Sequence, residues 1–314
     1  MKILFISPRF EGGVGAHATR LAQKLQDSGF EIDLFQVPHI PIKNLKNPSF
    51  AVFGVLKALQ LKKKYDVVHG FNVPSALVMK YVKAKKKVIS LHGLYSEQVD
   101  LIHSSVPSKA TTLAESKAIE WADAVTTDSQ SVQKTYEKKF GIKVDYLPAP
   151  IELEKFNDIP DVKKVKNQVS YVGRNSYEKG IDILQKIESR INGNVVYCTN
   201  VSWKEAMTVI KSSSLLVVPS RMESLPQVIK EAFVLKIPVV GTTAGGIPEI
   251  IKDNVSGKIV PTNDSQKLLE AINFLLDHPQ EAEKMGNAGC DFVMKNFTWD
   301  ILLPKFVNFY NNLI

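Results

Sequence analysis

The sequence predicts an α/β protein of two doubly wound parallel-sheet domains, and three observations point there. Short apolar runs alternate with helical periodicities, the pattern of strand–helix–strand units whose helices cover both faces of a parallel sheet. At 314 residues the chain is long for one domain and comfortable for two, each with its own core. A polar, aperiodic stretch over 151–167, just past Pro148-Ala149-Pro150, interrupts the alternation and reads as a linker.

The elements follow in order. The apolar run 2–7 is the first strand. Gly12, Gly13 and Gly15 form a glycine loop, and a helix over 16–26 places Ala18, Leu21, Ala22 and Leu25 at helical spacing. A strand over 31–35 leads to a three-proline loop over 38–48 and a helix over 50–64 that ends in Lys62-Lys63-Lys64. Next come a strand at 66–69, a helix at 76–83 running into Lys85-Lys86-Lys87, and a strand at 88–92. That strand delivers His92 to the carboxyl edge of the sheet. A helix within 104–121, a strand at 124–127, a helix at 132–140 and a strand at 144–147 complete a first domain, 1–150.

The second domain spans 168–298, with strands at 169–172 and 195–197 and helices at 181–187 and 203–211. The run Leu215-Leu216-Val217-Val218 reads as a buried strand that stops at Pro219. Ser224 then reads as a helix N-cap, with Gln227 closing a capping box and Pro226 in the first turn. A strand at 237–240 follows, and Gly245-Gly246 lead to a helix start at Pro248-Glu249. Helices at 265–276 and 279–295 and an amphipathic segment at 299–314 end the chain.

Bulk properties narrow the function classes. No apolar run nears the roughly 18 residues of a spanning helix, and with Met1-Lys2 leading straight into the first strand no signal peptide is expected. Cys198 and Cys290 make neither a disulfide framework nor a metal spacing, so a cytoplasmic location is expected. Charge is uneven. Residues 1–150 hold 21 Lys/Arg against 13 Asp/Glu and residues 151–314 hold 19 of each, so the whole excess of +8 lies in the first half. The lysines at 62–64 and 83–87 are either solvated helix ends or contacts to an anionic bilayer, at about 1 kcal/mol per residue near the surface. They lack interleaved aromatics, so nucleic acid is not expected.

The organising stretch is 219–250. Glu223 sits at the mouth of one helix and Glu231 further along it, in an E-x7-E spacing, while Gly173-Arg174 and Lys179-Gly180 follow an earlier strand. Ligands of such sheets gather beyond the carboxyl ends of the strands. A bare R-x4-K is more often a pair of solvated bases, and two glutamates near a helix start are often only dipole partners. One further pattern competes: Gly13-Val14-Gly15-Ala16-His17-Ala18 satisfies the dinucleotide fingerprint, with Glu31 or Asp33 as the ribose acid. It implies an NAD(P)-dependent oxidoreductase, although Arg9-Phe10-Glu11 lengthen the turn beyond what that fingerprint needs.

Held in order, the glycine loop, Arg174, Lys179, Glu223 and Glu231 resemble the family 4 glycosyltransferases of the GT-B fold, from Gly12-Gly13-Val14-Gly15 to Phe297-Thr298-Trp299. The resemblance implies two Rossmann-like domains facing across a cleft, the first for the acceptor and the second for a nucleotide sugar, with the 299–314 helix crossing back to the first. It implies transfer to a glycan, lipid-linked or other hydroxyl acceptor with retention, the departing phosphate taking the acceptor's proton. Arg174 and Lys179 would hold the diphosphate, since that charge grows as the glycosidic bond breaks. Glu231 would accept the ribose hydroxyls, and Glu223 would contact the sugar or steady its oxocarbenium-like transition state. His92 would meet the donor sugar's hydroxyls; His69 has a similar placement, and His17 reads as structural. Gly13, Gly15, Gly173, Ser224, Leu225 and Pro226 complete the expected donor contacts. Many relatives carry an acid beside the histidine, where this chain has Gly93.

No cofactor or metal is expected, as no D-x-D pair stands at a strand end. Because the acceptors of such enzymes are often lipid-linked, the lysine runs lean toward a peripheral place at the inner face of the cell membrane. A catalytically silent sugar-nucleotide binding protein is the remaining alternative.

Overall fold

Among the residues described by the computed structural model (1–7, 13–37, 40, 46–97 and 108–314), eleven strands form two sheets in which every strand pairing is parallel. The first sheet comprises β1 (Lys2–Ile6), β2 (Glu31–Phe35), β3 (Tyr65–Phe71), β4 (Ala84–Leu91), β5 (Ala124–Thr127) and β6 (Val144–Tyr146), in the order β2-β1-β3-β4-β5-β6. The second comprises β7 (Gln168–Val172), β8 (Asn194–Cys198), β9 (Leu215–Val218), β10 (Val239–Thr242) and β11 (Gly257–Val260), in the order β11-β10-β9-β7-β8. Both sheets reverse direction beside their first strand, β1 in one and β7 in the other. Each therefore has a topological switch point at its carboxyl edge, the usual seat of a ligand.

Helices α1 (Gly13–Asp27), α2 (Lys46–Leu59), α3 (Val73–Tyr81), α4 (Ser108–Glu120) and α5 (Gln130–Phe140) accompany the first sheet. The second has α6 (Ile181–Ile187), α7 (Trp203–Ser212), α8 (Gln227–Val234), α9 (Ile247–Ile250), α10 (Ser265–Asp277) and α11 (Pro279–Asn296). The last helix is α12 (Trp299–Asn311). The chain divides into two compact units, Met1–Ala149 with Leu303–Ile314, and Pro150–Leu302. Continuous apolar strands are what a doubly covered parallel sheet requires: Ile3, Leu4, Phe5 and Ile6, and Leu215 to Val218, are all buried.

Several boundaries differ from the expectations, each for a local reason. Gly13 and Gly15 belong to the first turn of α1 rather than to a loop, and Gly15 is buried against the sheet. Gly12 and the turn at 9–11 lie outside the described residues. Helix α2 starts earlier and stops at Leu59, so Lys62 to Lys64 lie past it. Lys85 to Lys87 are on β4, whose register against β3 starts at Tyr65↔Ala84. Helix α8 begins at Gln227, so Pro226 rather than Ser224 stands at its cap. Strand β10 begins at Val239, because Ile237 still donates to Ala232 O at the end of α8. Residues 151–167 are part of the second unit, where Ile151 bridges Thr298 and 153–158 form a 3-10 helix. Strand β11 escaped the sequence reading. It is a four-residue edge strand with half-buried Lys258 and Ile259, too short for a periodicity.

Candidate functional site

At the switch point of the second sheet, the loops leaving β7 and β9 are fastened to each other through their backbones. Gly180 has φ +65°, and a Cβ there would lie 2.0 Å from Pro219 O, so only glycine lets α6 start against the exit of β9. The Arg221 N–H donates to Glu178 O at 2.8 Å. The β10 loop closes the other side. Gly246 N–H donates to Ser224 O at 2.8 Å, and a Cβ on Gly245 would lie 1.8 Å from Glu223 O.

This framework brings two expected residues into contact. Lys179 Nζ is 2.7 Å from Glu223 Oε1, which also accepts from Ser220 Oγ at 2.8 Å. Arg174 pairs with Glu178 at 2.8 Å, its guanidinium largely exposed and the Glu178 carboxylate buried. Gly173 follows β7, where a Cβ would come within 3.2 Å of the Tyr171 hydroxyl. That hydroxyl donates to Arg174 O at 2.8 Å, and burial, aided by the charge of Glu223, raises its pKa. Glu231, in the second turn of α8, already accepts from Trp203 Nε1 at 2.8 Å. Leu225 and Pro226 are buried, so what they offer a ligand is backbone.

Two participants were not picked out from the sequence. Ser176 Oγ, in the loop between Arg174 and Lys179, is buried with no hydrogen-bond partner among the described residues. A serine in a loop of mixed polarity gives no signal of that. Arg221 forms a bidentate pair with Asp182, both contacts at 2.7 Å, and lies 3.9 Å over the Tyr177 ring. The pair holds Asp182 below the usual carboxylate range, and Arg221 Nη1 also donates to Tyr177 O, bracing the loop between Arg174 and Lys179. Its signal was a basic residue three positions past an apolar strand.

In the first unit, His92 follows β4 and Asp128 follows β5, side by side because Leu91 and Thr127 are in register. His92 Nδ1 is 3.1 Å from Asp128 Oδ2. His92 Nε2 is buried with no partner among the described residues. The ring borders a cavity of about 250 Å³ whose lining includes Val14, Asn72, Leu91, Gly93 and Tyr95. Asn72 holds φ +110° there, a backbone state few non-glycine residues adopt. His17, on α1, is buried with its ring 6.3 Å from that of His92. Gly13 and Gly15 belong to this unit, and Arg174, Lys179 and Glu223 to the other.

His69 has a different role from the one its strand-end placement suggested. It is fully buried, with Nδ1 2.6 Å from the Tyr310 hydroxyl and Nε2 2.7 Å from Ser90 Oγ. Ser90 Oγ continues to Thr126 Oγ1 at 2.5 Å. Burial drives its pKa well below the ordinary 6.5. Both ring nitrogens are occupied, so His69 is a structural latch for α12.

Two doubly wound sheets, with cations and acids at the switch point of one, define a GT-B protein, and solved structures agree. The chain superposes on sucrose-phosphate synthase from Thermosynechococcus elongatus with a TM-score of 0.82 at 19% identity, covering 99% of this chain and 98% of that one. It superposes on Anabaena HepE in complex with UDP-glucose with a TM-score of 0.77 at 16% identity, covering all of both chains. Residues 11–155 match the family model described as Glycosyltransferase Family 4, and residues 185–291 match that of Glycosyl transferases group 1. An uncharacterised glycosyltransferase of Methanocaldococcus jannaschii is 24% identical over 99% of this chain and 98% of that protein. The chain belongs to the family 4 glycosyltransferases and is an enzyme of that activity. That sets aside both the oxidoreductase drawn from Gly13 and Gly15 and the catalytically silent binding protein.

Proposed function

We propose that the second unit holds a nucleotide-diphosphate sugar and that its sugar passes, with retention, to a hydroxyl acceptor bound by the first unit. The observation that carries this is the cluster at the β7/β9 switch point, where Arg174, Lys179 and Glu223 share one backbone framework. A diphosphate draws Lys179 from Glu223 and Arg174 from Glu178, leaving Glu223 for the sugar. Each charge-assisted hydrogen bond to a leaving oxygen contributes about 1.5–3 kcal/mol, against about 0.3–1 for a helix N-terminus. The cations therefore dominate. Ser176 Oγ adds a donor in the same loop. His92 meets a sugar hydroxyl, and no metal is needed for the charge. The relative bound to UDP-glucose supports a nucleotide sugar as donor.

The test is a screen of donor hydrolysis over UDP-, GDP- and ADP-sugars, with and without a chelator, and NMR of the product anomer. Hydrolysis of one donor, unaffected by the chelator and with its anomeric configuration kept, is the expected result; inversion or loss of activity on chelation overturns the corresponding part.

The acceptor reading extends to a bilayer. Val52, Leu56 and Leu59 form an exposed i, i+4, i+7 row on α2, and Leu77 and Tyr81 are exposed on α3, which packs beside it. Lys62, Lys64 and Lys83 follow those helices, and Tyr65 N–H donates to Lys83 O, which brings the two lysine runs together. Apolar row and cations suit an anionic membrane surface, with a lipid-linked acceptor. Vesicle flotation decides: anionic but not zwitterionic vesicles carry the protein, and Leu56→Ser/Leu59→Ser abolishes it. Equal binding by that variant removes the bilayer from the reading.

A further inference from the structure

We infer that Asp128 is the positioning residue of His92: its carboxylate fixes the imidazole so that Nε2 presents a lone pair to the cavity at the end of β4, where a sugar hydroxyl donates to it. The inference rests on the glycosyl-transfer reading and names the partner of His92 within it.

The geometry begins in the sheet. Register Leu91↔Thr127 sets residues 92 and 128 next to each other at the carboxyl edge, and Thr127 Oγ1 donates to Leu91 O at 2.8 Å, tying the two strand ends together. One residue further on, Ser129 is fully buried and caps α5 through Val132 N–H. Asp128 is thus held between a strand end and a helix start, with no slack to follow a swinging ring. An ionised carboxylate only accepts, so the 3.1 Å contact puts the proton on Nδ1. In the neutral ring Nε2 is then an acceptor. Buried polar atoms are nearly always paired, and this one is not among the described residues. It sits on a cavity of about 250 Å³, room for part of a sugar ring. The contrast with His69 is direct, since both nitrogens of that ring have partners within the protein. A hydroxyl is the group that fits: it donates to Nε2 and keeps its oxygen free for a second bond.

The experiment is a double-mutant cycle on kcat/KM with the donor found in the screen. Asp128→Ala lowers kcat/KM about 10–100-fold in the otherwise native enzyme and by less than about 2-fold in His92→Ala. Equal losses in both backgrounds overturn the inference, because they mean that Asp128 acts without His92. Monodeoxy donors and acceptors locate the hydroxyl. One position shows a large loss in the native enzyme that disappears in Asp128→Ala; if it lies on the donor, the loss persists in hydrolysis without acceptor. A uniform loss over all positions points to general disruption and counts against the inference. Near-ultraviolet circular dichroism and a cooperative thermal transition like that of the native protein check that the first unit of Asp128→Ala is folded. Long-range 1H–15N spectra of His92 in the native protein give an answer independent of turnover. A proton on Nδ1 supports the assignment, and one on Nε2 overturns it even if no nucleotide sugar is consumed, the outcome that separately defeats the transfer reading.

Discussion

At the carboxyl edge of the second sheet, Lys179 meets Glu223 at 2.7 Å and Arg174 meets Glu178 at 2.8 Å. At the same edge of the first sheet, His92 Nε2 lies beside a cavity with no partner among the described residues. The same topology therefore prepares its ligands in two ways. In the second unit both cations, Arg174 and Lys179, have a carboxylate partner, so in the proposed reaction a diphosphate binds by exchange of partners. In the first unit, on the inference above, a hydroxyl that reaches His92 Nε2 satisfies a buried group without a partner among the described residues, worth about 1–3 kcal/mol.

The largest expected effect tests the exchange. Lys179→Ala should lower kcat/KM by about 100-fold or more, as the loss of a cation on the leaving diphosphate implies. Retention of near-native kcat/KM would mean that Lys179 serves only to hold Glu223. Next is the framework itself. Gly180→Ala forces a side chain into a left-handed backbone and against Pro219 O, at a cost of about 1–3 kcal/mol or more. A melting temperature equal to wild type would show that the two loops are free to separate.

The structural histidine supplies a pH signature for the first unit. His69 stays neutral when folded but protonates near 6.5 when unfolded, so the unfolded state takes up the extra proton. Stability from this group is complete above pH 6.5 and falls as the pH drops below it, by about 1.4 kcal/mol per pH unit until the folded pKa is reached. Denaturant titrations of wild type and Tyr310→Phe should both show that slope, displaced by about 1–3 kcal/mol for the lost partner. A flat profile would place His69 in contact with water. The smallest effect sharpens the comparison most. Glu223→Gln frees Lys179 from its counter-charge, so nucleotide diphosphate should bind a few-fold tighter by calorimetry while turnover falls. Weaker binding would show that Glu223 positions the lysine for phosphate.

Most of the fold was legible, because parallel strands buried on both faces are runs such as Leu215 to Val218 that need no context. The neighbourhood of Lys179 and Glu223 was legible too, since each is a charged residue in the loop after such a strand. What stayed hidden is what depends on register or on tertiary packing. Asp128 becomes the partner of His92 only through the pairing of β4 with β5. His69 and His92 look alike in sequence, and only Tyr310, 241 residues away, tells them apart. Ser224 satisfies every local rule for an N-cap, yet its carbonyl is taken by Gly246 and the helix waits for Gln227.

The latch at Tyr310 bears on how the chain is made. The part of α12 from Leu303 onward leaves the ribosome after all of the second unit, while the residues it covers, His69 among them, left it long before. The order of synthesis and the order of completion are therefore reversed: the later half can finish folding while the earlier half still lacks its closing piece. During translation that uncovered surface is the place where a chaperone has most to protect.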